Sequence, residues 1–247
     1  MRGGSYRDGA VVVRSHDFGE ADRVVVLLTR SHGVVRSVAK GVRKARSRFG
    51  SRLQPFVRLD VQLYPGRNLA TLTSADTVAY YGAGIIEDFD RYAAASAVLE
   101  TAERVAAHGE DPALFDAVVD ALARMQVSAH PVAVLDAFLL QAMATEGWAP
   151  SLFDCASCQA PGPHHAFHPG VGGAACLNCR PSGSAEIDEQ TLHLMWLLAG
   201  GHVAAAEAIL AAEGGGHLGA QAHRLTVAHL QWHLETTLSS LKVMEQR

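Results

Sequence analysis

Aromatic residues are scarce in this 247-residue chain, at 6% of the total, and there are only four cysteines. Apolar residues make up 49%, yet they never run on for about 18 positions, so no membrane-spanning helix is expected. Met1 to Asp8 carries no apolar stretch leading to a cleavage site, so a secretory signal is not expected and the protein is placed in the cytoplasm. There is no Walker A sequence, no G-x-S-x-G and no H-E-x-x-H, which argues against ATP-driven work, serine hydrolysis and zinc proteolysis. Gly82-Ala83-Gly84 is followed by Glu87 where a dinucleotide fingerprint has its third glycine. The acidic pairs Glu87-Asp88 and Glu110-Asp111 stand before helical stretches, where carboxylates favour the helix dipole, and are read as structural. The expectation is a binding protein rather than an enzyme.

What the chain does have is charge asymmetry. The net charge of -4 hides 14 Lys and Arg against 6 Asp and Glu in residues 1–80, and 7 against 19 in the remainder. A basic segment followed by an acidic one points to a polyanion that meets the first part alone. Within it, Lys40 to Arg52 holds six basic residues in thirteen and no acid. Such a run must face solvent or a polyanion, and the wider basic surroundings favour nucleic acid. Phe49 and Tyr64 are candidates for stacking on a base, although burial in a core is an equal reading for each.

Residues 1–80 have the periodicity of strands. Ala10–Val13, Arg23–Thr29 and Val34–Ala39 are β-branched runs, with a Ser31-His32-Gly33 turn between the last two. Leu53, Val57, Leu59, Val61 and Leu63 alternate with Arg58 and Gln62, and Pro65-Gly66-Arg67-Asn68 turns the chain into Leu69–Thr73. Five short strands suit a small barrel of the OB type, though periodicity does not separate it from an SH3-like one. After residue 88 the period becomes helical. Helices are expected over Arg91–His108, after the Asp111-Pro112 cap, and over Pro131–Thr145, Asp188–Leu198, His202–Ala212 and Leu218–Val243, with Gly214-Gly215-Gly216 as a linker. The fold class is therefore α+β: an OB-like domain over 1–82 and a helical domain over 83–247 with a cysteine segment at about 150–183.

All four cysteines lie in that segment, as Cys155-x-x-Cys158 and Cys176-x-x-Cys179. Two such knuckles supply four thiolates to one tetrahedral ion, which makes structural zinc the expected cofactor. Four thiolates leave no open position for water, so the ion is not expected to be catalytic. Free thiols, two disulfides or a histidine ligand from His164, His165 or His168 are the lesser readings, the three histidines being expected as exposed loop residues. His217, His223, His229 and His233 are expected on the polar face of the last helix.

Gly19-Glu20-Ala21-Asp22-Arg23 and the strand after it, His32-Gly33, Ala39-Lys40-Gly41-Val42-Arg43, Ser47-Arg48-Phe49-Gly50 and Leu53-Gln54-Pro55-Phe56 resemble the N-terminal signature of bacterial RecO proteins. The helices and the four-cysteine segment are similar to the rest of that family, so the resemblance covers essentially the whole chain. It implies a recombination mediator that binds single- and double-stranded DNA, anneals complementary strands and acts in DNA repair, nucleoid-associated when it does so. It implies partnership with RecR and with the C-terminal tail of single-stranded-DNA-binding protein, and indirectly with RecA, which it helps to load. DNA contact is carried over to Lys40, Arg43, Lys44, Arg46, Arg48 and Arg52, and to Arg23 unless that side chain pairs with Asp22 or Glu20. The rival readings are an RNA-binding module built from an OB fold and a zinc ribbon, and a metal-dependent nuclease.

Overall fold

The computed structural model describes residues 4–44, 47, 49–106 and 109–245. It divides into two compact units, one up to Val127 and one from Ser128.

In the first unit, β1 (Tyr6–Phe18), β2 (Asp22–Thr29), β3 (Gly33–Ala39), β4 (Val57–Tyr64) and β5 (Ala70–Tyr80) close into a barrel in the order β1-β2-β3-β5-β4. Every pairing is antiparallel except β3 with β5, an OB-like arrangement. Closure depends on β1 being far longer than its Ala10–Val13 kernel. Its first half pairs with β4 and its second with β2, and a register shift between Val12 and Arg14 bends the strand from one partner to the other. Val12, Val25, Leu27, Leu59, Leu63 and Leu72 fill the interior. Leu53 lies before β4 rather than in it, but is buried in the same core.

The outward-facing Val11, Val13, Val24 and Val26 are buried as well. β1 packs against α1 (Phe89–Val105), and an added Cβ at Gly9 would touch Phe115 of α2 (Pro112–Met125). Ion pairs from Arg14 to Glu103 (2.7 Å) and from Arg30 to Asp116 (2.7 and 2.8 Å) fasten the barrel to both helices. The helix starts follow from their caps: Asp88 accepts from the Arg91 N–H, and Asp111 from that of Leu114 with Pro112 at the first helical position.

In the second unit, α3 (Pro131–Thr145), α4 (Glu189–Ala199) and α6 (Gly215–Leu234) pack together, with α5 (Val203–Ala211) against α4 and α6. None of the described helices is long and apolar enough to cross a membrane. The single helix expected over Leu218–Val243 is two. α6 ends where Glu235 turns left-handed (φ +51°), and α7 (Ser239–Glu245) follows. The three glycines are not a linker either. Gly214 is a left-handed cap (φ +81°) and Gly215 begins α6, where a Cβ would run into the carbonyl oxygens of Ile209 and Leu210. The cysteine segment, expected without helix, forms a three-stranded sheet of β6 (Ala166–His168), β7 (Gly173–Ala174) and β8 (Ala185–Glu186) in the order β7-β6-β8.

Candidate nucleic-acid interface and metal centre

The basic loop leaves the barrel at the end of β3, and its first residues are strapped to the β1–β2 hairpin. Asp22 accepts from the Gly41 N–H (2.8 Å), and the Arg43 N–H donates to the Ala21 carbonyl (3.0 Å). Lys40, Arg43 and Lys44 are exposed, and the two lysines have no ion pair among the described residues. Arg52, at the far end, is exposed but donates to the Ala75 carbonyl (3.1 Å), which ties the loop to β5. Arg46 and Arg48 lie outside the described residues.

Arg23 pairs with neither Asp22 nor Glu20. Its guanidinium binds Asp17 through two bonds of 3.1 and 2.9 Å, and Arg43 approaches the other oxygen of the same carboxylate at 3.5 Å. The Arg23 bonds, with Arg43 beside them, hold the Asp17 carboxyl below the usual carboxylate range. Register explains the meeting. Beyond the shift in β1, Ser15 lies opposite Val25 and Asp17 opposite Arg23, so the face that carries Val25 and Leu27 inside the barrel turns charged at its open end.

Of the two candidate aromatics, Phe49 is 1% exposed and belongs to the barrel core, which removes it as a stacking surface. Its buried ring anchors the loop instead. Tyr64 is exposed. Phe18, 53% exposed at the end of β1, was not expected; it follows a polar run, and only the strand register places it beside the hairpin turn.

In the second unit the two knuckles have similar backbones. The Gln159 N–H returns to the Cys155 carbonyl (2.9 Å) and the Arg180 N–H to that of Cys176 (3.0 Å). β7 joins them, since the Ala156 N–H donates to Ala174 (2.8 Å) and Ala175 leads directly into Cys176. Gly173 is required there: its φ is +132° and a Cβ would strike the Ser151 backbone. Cys155, Cys158, Cys176 and Cys179 thus gather with all their sulfurs within 4.8 Å of one another. Cys158 and Cys176 are 3.8 Å apart, which matches the sulfur spacing of about 3.8 Å around a tetrahedral ion with bonds near 2.3 Å. The Cys176 N–H donates to the Cys155 sulfur (3.4 Å); this and neighbouring backbone bonds bring the Cys155 thiol down to about 6. Hydrogen bonding, first to Cys176, pushes Cys179 up to about 12. Four thiols this close cannot all ionise without a cation to offset their charge, so the donor set fits a metal.

No histidine joins the cluster among the described residues. His165 is exposed, but His164 is buried and donates to the Ala160 carbonyl (3.0 Å), and His168 accepts from the Gly170 N–H (3.1 Å), closing the turn after β6. Of the histidines expected on the polar face of the last helix, His217 is exposed, but two others differ. His229 is 1% exposed and donates to the Trp148 carbonyl (2.9 Å), while burial lowers its pKa to about 4. His223 meets the buried Asp136 at 2.7 Å, a carboxyl that burial raises above its ordinary range.

These features define a class: an OB-like barrel with a basic loop, joined in one chain to a helical unit that carries a four-cysteine metal centre. Residues 1–81 match the family model for the N terminus of recombination protein O, and residues 86–242 the model for its C terminus. The chain belongs to the recombination protein O (RecO) family, and its role is that of a mediator in DNA repair and recombination.

Proposed function

We propose that this protein binds single-stranded DNA on the basic loop of its barrel, anneals complementary strands, and with RecR helps load RecA onto DNA coated by single-stranded-DNA-binding protein. The observation that carries the reading is the match of both family models, one over the barrel and one over the helical unit. The excess of basic residues on the barrel segment supports it, since cations that neutralise phosphates release counterions and let two strands approach. Lys40, Arg43, Lys44, Arg46, Arg48 and Arg52 contact the backbone in this reading, and Arg23 once it leaves Asp17. No bond is made or broken and no nucleotide is consumed, so the protein works as a binder and not an enzyme, in the cytoplasm and on the nucleoid during repair.

The metal is structural zinc. Held by Cys155, Cys158, Cys176 and Cys179, it supplies cross-linking and charge neutralisation, and it offers no open position for a substrate. The acidic helical unit does not attract DNA and is left to protein partners, among them the tail of single-stranded-DNA-binding protein.

The test is annealing of two complementary strands precoated with single-stranded-DNA-binding protein, without ATP. Faster duplex formation at constant DNA mass is expected. No acceleration, with tighter binding to RNA than to DNA of equal sequence, would replace this reading with an RNA-binding module, and loss of DNA mass would replace it with a nuclease.

A further inference from the structure

In the free protein the Asp17 carboxylate sits between two of the arginines assigned to DNA. It takes two hydrogen bonds from Arg23 on one oxygen and faces Arg43 at 3.5 Å with the other. A carboxylate and a phosphate present the same feature to a guanidinium, two charged oxygens that accept parallel N–H bonds. Asp17 is half exposed, and so is Arg43, so an anion from solvent can reach both. Exposed pairs of this kind are weak, and an incoming anion can displace them.

We propose that Asp17 is a built-in stand-in for a DNA phosphate, which occupies the place between Arg23 and Arg43 until a strand displaces it. The inference rests on the DNA-binding reading above and adds regulation at the same site. Arg43 is fixed independently by its backbone bond to Ala21, with its guanidinium also near the Gly19 carbonyl (3.5 Å), so the loop stays docked on the hairpin when the carboxylate moves away. Asp17 therefore does two things. It keeps the arginines extended at the barrel mouth, and it weakens the hold on each strand, because a phosphate must compete with it and then lies beside a free negative charge. Weak, reversible hold suits a protein that must release a duplex once two strands have paired. A merely positioning role would give the opposite sign on removal: without the carboxylate the arginines would wander and DNA would bind less well.

The experiment measures binding of a fluorescent oligothymidylate, which does not pair with itself, to the full-length protein across a salt series. Asp17→Asn is expected to bind about three- to tenfold more tightly at low salt, given two weak pairs released. Because the strand displaces Asp17 in the wild type as well, the same phosphates are met in both proteins, and removing the one negative charge beside them should steepen the fall of log affinity with log salt by at most about 0.7. Asp17→Glu, which keeps the charge, should bind close to wild type. Asp17→Ser repeats the test with an unrelated side chain, and the slope does not depend on the folded fraction of any variant. Asn and Ser variants that bind no tighter than wild type, with an unchanged or shallower slope, overturn the stand-in while the DNA reading survives. Wild-type protein that fails to bind oligothymidylate at low salt overturns both.

Discussion

The sulfurs of Cys158 and Cys176 lie 3.8 Å apart although they come from different knuckles, and the backbone of β7 brings those knuckles together. A closed thiolate site of this spacing should hold one zinc per chain, measured by elemental analysis of the purified protein. Because a structural site couples metal affinity to folding, Cys176→Ala should lower the thermal midpoint and lose the metal. The proposed DNA surface belongs to the first compact unit and the cluster to the second, so affinity of the folded fraction for DNA should change by no more than about twofold. A zinc-free variant with an unchanged midpoint would show that the ion has no structural role.

Much of this was legible from residue spacing. The paired CxxC knuckles announced the cluster because ligand geometry is local at each knuckle, and the Asp111-Pro112 cap announced a helix start. What spacing could not show is set by register and tertiary packing. Phe49 sits amid arginines in sequence yet turns into the barrel, and Arg23 finds Asp17 only because β1 slips its register past Val12. His229 lies at an unremarkable helix position and is buried because the Trp148 carbonyl is there to receive its proton. The break at Glu235 carries no proline or glycine to signal it.

The basic loop gives a graded prediction. Arg43→Glu with Lys44→Glu should weaken binding to single-stranded DNA while the thermal midpoint holds, since both side chains are exposed. The salt dependence should flatten by about 0.7 log units for each phosphate that is no longer neutralised. Equilibrium titrations at four or five salt concentrations measure this. Weaker binding with an undiminished slope would mean that the loop acts through something other than phosphate charge.

His229 links stability to pH. Its folded pKa is lowered to about 4, below the ordinary value of 6.5, by burial first. The unfolded chain then binds a proton that the folded chain refuses between those two values. Stability is therefore full above about pH 6.5 and declines as pH falls toward 4, with a slope of up to about 1.4 kcal/mol per pH unit from this one group. Denaturant unfolding at several pH values, compared with His229→Gln, should show the variant with a flatter profile across that window. An identical slope in the variant would assign the acid sensitivity elsewhere.

The barrel strands finish at Tyr80, but Val11, Val13, Val24 and Val26 on the outer face of β1 and β2 are buried, Phe115 of α2 is fully buried beside Gly9, and Arg30 reaches Asp116. A fragment that stops after residue 82 would lose the cover that α1 and Phe115 give to β1, where each buried valine is worth roughly 1.5–3 kcal/mol in the intact unit. That is comparable to the whole stability of a small domain. Residues 1–127 should therefore fold as a cooperative unit in denaturant, whereas 1–82 should be aggregated or lack a sigmoidal transition. Phe115→Ala in the full chain should cost about 3–5 kcal/mol. A soluble 1–82 fragment with a cooperative transition would instead show that the barrel alone is the folding unit and that α1 and α2 merely rest on it.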